Sequence, residues 1–171
     1  MDKRYPVGTF AEALATPTDY DADVREIASF LERVKTAVGG LSAKQLRQRY
    51  RPGSWDISQV VHHCADSHAT ALLRVKRALT EDTPTIQGYD QDATAQLPDY
   101  GLPLAPSLAL LEGLHARFAA LLSAISPEQR RRAYFHAGEG RAFSVAEAAR
   151  VYAWHGRHHL AHIKLASMEP A

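Results

Sequence analysis

The chain has almost no cysteine: Cys64 stands alone among 171 residues. A single thiol excludes an intrachain disulfide framework and any zinc site built on paired thiolates. Surplus charge is missing too. Lysine and arginine number 20 against 19 acids, a net charge of +1 with histidine neutral. No strong field therefore draws the chain to nucleic acid or to an anionic membrane. The one basic run, Arg130-Arg131-Arg132, has no aromatic platform beside it and reads as solvated surface. No apolar stretch nears the roughly 18 residues of a membrane span. Met1 to Pro6 is polar and lacks the apolar core of a signal peptide. The expectation is a cytoplasmic protein with a small-molecule substrate, no nucleic-acid partner and no membrane partner.

What is present is ordinary in bulk. Hydrophobic residues make up 46% and charged residues 23%, the balance of a soluble globular protein. The length suits one domain, 1–171, and is enough to bury a core without disulfides or a structural metal. Any metal held here then serves function more than folding.

Apolar residues at steps of three and four mark helices. Val24, Ile27, Phe30, Leu31, Val34 and Val38 form one stripe over 21–38, closed by Gly39-Gly40. A short helix can open at Ser42. Arg51-Pro52-Gly53-Ser54 reads as a turn, and Asp56 with Gln59 forms a capping box that opens a helix to about Leu79. Thr80 to Gly101 is polar and proline-containing, a long connection with a turn of helix near 92–97. A third helix starts near Ser107, and Ser126-Pro127-Glu128 can open a short one. Tyr134-Phe135-His136 and Ala142-Phe143 flank a glycine-rich turn as a small hairpin. Ser144 and Glu147 form a second capping box, which opens a last helix to about Ser167. The pattern is all-α: a four-helix bundle with a long crossover connection and a hairpin-like excursion before the last helix.

Histidine is the unusual residue. Of nine, His62, His63 and His68 fall in one window, and His155, His158, His159 and His162 in another. His155 and His159 are four apart, so both imidazoles leave one face of a helix, a turn apart. An i, i+4 pair alone is also what a polar helix face presents. A second cluster on another helix turns the reading toward a metal, with the third ligand from His62 or His63. Those two point about 100° apart, so one of them at most reaches a given centre. Imidazole suits zinc, nickel, iron or copper, and three neutral nitrogen donors leave coordination positions open. Gly156 stands where the zinc-protease motif HExxH needs its glutamate, which disfavours a peptidase. A general base must come from elsewhere; Asp66, near one turn beyond His63, is a candidate, and Arg157 is a candidate contact for an anionic substrate. The other clustered histidines read as packing or surface residues, Cys64 as a small core residue, and Trp55 and Trp154 as core anchors.

Several segments resemble the YfiT group of the DinB superfamily. They are Tyr50-Arg51-Pro52-Gly53-Ser54-Trp55, Gln59-Val60-Val61-His62-His63 with Ala65-Asp66-Ser67-His68, and Leu79-Thr80-Glu81-Asp82-Thr83-Pro84. In the last helix they are Tyr152-Ala153-Trp154-His155-Gly156-Arg157-His158-His159 and Ala161-His162-Ile163. Cys64 departs from the pattern, where relatives carry a larger apolar residue. The resemblance implies a DinB-type four-helix bundle and one divalent metal per chain on His63, His155 and His159, with zinc the first choice and nickel, iron or manganese as alternatives. It implies a metal-dependent hydrolase. Other members of the superfamily are S-transferases that use bacillithiol, glutathione or mycothiol, so a low-molecular-weight thiol is an alternative cofactor. A non-catalytic metal-binding bundle is the third reading. Small bundles of this superfamily often pair, which implies a homodimer.

Overall fold

The protein is described by a computed structural model covering residues 2–17 and 19–168. Four long helices form the bundle: α2 (Tyr20–Val38), α4 (Ile57–Thr80), α6 (Ala105–Ala124) and α8 (Val145–Ser167). Short helices lie between and before them: α1 (Phe10–Ala15), α3 (Ala43–Leu46), α5 (Gln91–Thr94) and α7 (Pro127–Arg131). Helix α2 packs on α6 and α8, and α4 packs on the same two. Helices α2 and α4 thus sit on one diagonal of the bundle and α6 and α8 on the other. The long segments 39–56 and 125–144 make the diagonal crossings.

The capping boxes read from sequence are formed. Asp56 accepts from the Gln59 amide and Gln59 returns a bond to the Asp56 amide; Ser144 and Glu147 do the same at α8. Gly40 takes a positive φ of 81° just beyond α2, the left-handed turn that closes a helix. Helix α6 begins earlier than Ser107 because Pro106 lies in its first turn, where its missing N–H is no loss.

The excursion before α8 is a hairpin, β2 (Ala133–His136) with β3 (Arg141–Ser144), turned at Gly140. The structure adds a strand, β1 (Thr85–Ile86), which pairs parallel to β2. The long α4–α6 connection is thereby tied to the excursion. The expected helical turn near 92–97 is present as α5, which starts at Gln91 and ends at Thr94, and a 3₁₀ turn follows over Pro98–Gly101. Helix α1 is also additional. Its Phe10 ring meets Trp154 edge-on at 5.9 Å, and the Trp154 indole donates to the Gly8 carbonyl at 3.2 Å.

The core fills the space between the long helices, with Ile27, Phe30, Val34, Ile57, Val61, Leu111, Phe118, Leu122 and Ile163 sealed from solvent. Cys64 is fully buried and burial pushes its thiol pKa up, which leaves it protonated and inert. Gly156 is placed by packing. A Cβ there would meet Phe30 Cδ2 at 2.9 Å, so α8 approaches α2 at this point only because position 156 has no side chain. Among the described residues, no helix is long and apolar enough to cross a membrane.

Candidate metal centre

Helix α4 supplies His63 and helix α8 supplies His155 and His159. One ring nitrogen from each lies within 4.8 Å of the others. His63 Nε2 and His155 Nε2 are 3.2 Å apart. Two nitrogens bound to one ion at about 2.0–2.1 Å stand roughly 3 Å from each other, so this spacing fits a shared metal. His159 Nδ1 faces His162 Nδ1 at 3.4 Å, which leaves Nε2 for the group. His158, His159 and His162 also fall within 4.8 Å of one another. There the His162 ring stacks on Tyr50 at 3.8 Å and the His158 ring on Trp154 at 4.7 Å.

The environment favours the ligand form of imidazole. Burial, with His158 nearby, pushes the His63 pKa down to about 4. His155 and His159 lie well below the ordinary value, through burial first and then their imidazole neighbours. All three are therefore neutral near pH 7, with a lone pair to give. Trp55 packs on the pair of walls they form, 4.6 Å from the His63 ring and 6.2 Å from the His159 ring. The group opens on a cavity of about 710 Å³, lined by aromatic rings that include Tyr5, Trp55 and Tyr89 and by Arg4, Arg51 and Arg74.

His62 points away from this cavity. Its Nδ1 meets Ser107 Oγ at 2.7 Å and its Nε2 the Leu102 carbonyl at 3.1 Å. Asp66 is not brought to the three histidines either. It lies one turn from His62, lines the same separate cleft, and accepts the Tyr100 hydroxyl at 2.7 Å. The reason is helix phase: three residues beyond His63 the helix falls about 60° short of a full turn, whereas four residues overshoot by only about 40°. Ser67, four beyond, is the residue on the His63 side, with Oγ 3.5 Å from His155 Nε2. Arg157 turns the other way as well and pairs with Glu26 of α2 at 3.5 Å. Sequence reasoning placed Ser67 on the His63 face without assigning it to the site, and missed the cavity arginines and the place of half-buried Trp55 on the cavity wall. Only Ser67 left a signal, its i, i+4 spacing from His63.

The sequence places this bundle with its three neutral imidazoles: the chain belongs to the DinB superfamily, whose family profile matches residues 26–163. A relative from Oceanobacillus iheyensis is 41% identical over 164 residues, covering 95% of each chain. One from Bacillus cereus is 42% identical over 163 residues, covering 95% of this chain and 94% of its own. Each bears the provisional name of metal-dependent hydrolase. The solved structure of YfiT from Bacillus subtilis superposes with a TM-score of 0.88 at 35% identity, over 95% of this chain and 94% of that one. It is described as a probable metal-dependent hydrolase with an unusual four-helix bundle topology.

Proposed function

We propose that the protein is a metal-dependent hydrolase that holds one divalent ion, zinc in the first instance, through His63, His155 and His159. The observation that carries this reading is the convergence of three neutral imidazoles, His63 and His159 buried and His155 half-buried, beside a cavity large enough for a small molecule, with His155 and His159 on its wall. What the ion supplies when bound is Lewis acidity and a lowered pKa for water in an open coordination position. The chain's own residues do the rest. Trp55 packs against His63 and His159 and keeps bulk water from that side. Arg4, Arg51 and Arg74 line the cavity with positive charge, which favours a substrate that carries a carboxylate or phosphate.

Those arginines also favour a second reading, S-transfer from a small thiol, because thiols such as glutathione and bacillithiol carry carboxylates that the arginines would bind. Cytoplasmic location and a homodimer belong to this proposal, and light scattering in the micromolar range tests the pairing. The central experiment is elemental analysis of the purified chain, followed by turnover of model esters and amides by the zinc-loaded protein. Parallel assays with an electrophile, with and without a low-molecular-weight thiol, separate the two chemistries. About one zinc per chain and ester or amide cleavage without thiol is the expected result. Turnover only with thiol replaces hydrolysis by transfer, and absence of both metal and turnover overturns the reading.

A further inference from the structure

The side of His155 that faces away from the cavity is engaged by two more histidines. His155 Nδ1 lies 2.9 Å from His68 Nε2. His68 Nδ1 lies 2.8 Å from His115 Nε2. His115 Nδ1 lies 2.7 Å from the carbonyl oxygen of Ile27. The line crosses the whole bundle and takes one residue from each long helix: Ile27 from α2, His115 from α6, His68 from α4 and His155 from α8. His68 and His115 are 1% and 3% exposed. Phe30 covers both rings, at 5.0 and 5.2 Å.

The direction of every bond follows from its far end. A carbonyl oxygen only accepts, so His115 must carry its proton on Nδ1. A neutral imidazole has one N–H, so His115 Nε2 is an acceptor and His68 Nδ1 donates to it. By the same step His68 Nε2 accepts and His155 Nδ1 donates. The lone pair of His155 is then on Nε2, the nitrogen that faces His63. Burial supports the neutral state of both intermediate rings, since it pushes their pKa values below the ordinary imidazole value.

We propose that His68 and His115 are positioning residues that transmit the polarity of the Ile27 carbonyl across the bundle and lock His155 in the tautomer that can bind a metal through Nε2. Outer hydrogen bonds of this kind orient metal-binding histidines and raise their basicity. The inference rests on the metal reading above for its functional meaning, but the tautomer pattern stands on the hydrogen-bond geometry and the burial of the two intermediate rings.

Two measurements test it. In the metal-free, ¹⁵N-labelled wild type, long-range ¹H–¹⁵N correlation spectra should show His115, His68 and His155 all protonated on Nδ1. Zinc affinity is then measured by chelator competition in the wild type, His68→Leu and His68→Gln. Leucine removes both bonds and should weaken binding about 10- to 100-fold. Glutamine supplies one acceptor for His155 and one donor for His115, and should recover most of the loss. A purely packing role would favour leucine over glutamine in this buried site. His155 protonated on Nε2, leucine binding zinc as tightly as the wild type, or glutamine no better than leucine would each overturn the relay. If His68→Leu does not fold, the wild-type spectrum and the glutamine variant still decide. If the wild type binds no zinc at all, the metal reading fails while the tautomer spectrum still judges the relay.

Discussion

At the level of single residues, the adjacent pair His62-His63 is the sharpest discriminator. His63→Ala should abolish zinc retention in elemental analysis. His62→Ala should keep the metal but lose roughly 1–3 kcal/mol in denaturant unfolding, because Ser107 Oγ and the Leu102 carbonyl lose a partner. Equal metal loss from both variants contradicts the geometry. Spacing left the choice between these two open, since the direction of a helix face depends on what packs against it; the family resemblance pointed to His63. The same dependence on phase explains Asp66. Its distance from His63 in sequence suggested a neighbour, yet its i, i+4 relation is with His62, and it shares the cleft of His62. Arg157 is one residue from a polar neighbour on a crowded helix, and nothing in the sequence announces Glu26 as its partner.

Among the elements, the long helices were legible, and so were the short helices α3 and α7, whose capping residues Ser42 and Ser126 mark their starts; α1 and β1 were not. Periodicity needs several turns to register, and α2, α4, α6 and α8 provide them. Strand β1 has two residues and its pairing partner is about 50 positions away in the register Thr85–Phe135, so no local pattern could reveal it. Helix α1 did leave a mark, the Thr9–Glu12 capping box that the structure forms. Contact between α2 and α8 supplies the element-level prediction. Gly156→Ala raises intrinsic helix propensity by about 1 kcal/mol. The added methyl would nevertheless meet Phe30, which is 2% exposed and hemmed in by His68 and His115. Overpacking of this kind costs about 1–3 kcal/mol, so thermal unfolding should show net destabilisation. A stabilised variant would mean that α8 and α2 are not so close.

For the molecule as a whole, the buried imidazoles set its response to acid. His63, His158 and His162 are pushed down to about 4 by burial, and His68, His155 and His159 lie well below the ordinary value. An unfolded chain takes up protons on these groups near pH 6.5, whereas His63, His158 and His162 of the folded one resist until about 4. Stability is therefore fully present above about pH 6.5 and falls as pH drops through that window. Metal-stripped protein should keep its helical circular dichroism at pH 7 and show a falling denaturant midpoint from pH 6.5 toward 4; a flat profile would contradict the burial of these rings. The diagonal wiring of the bundle has a kinetic consequence. Helices next to each other in sequence are mostly not partners, and His63 meets His155 across 92 positions. Most of the native structure must therefore wait for distant segments to find each other, which slows folding relative to bundles built from successive hairpins. A newly synthesised chain therefore completes the three-histidine group only once α8, the last long helix to be made, has docked.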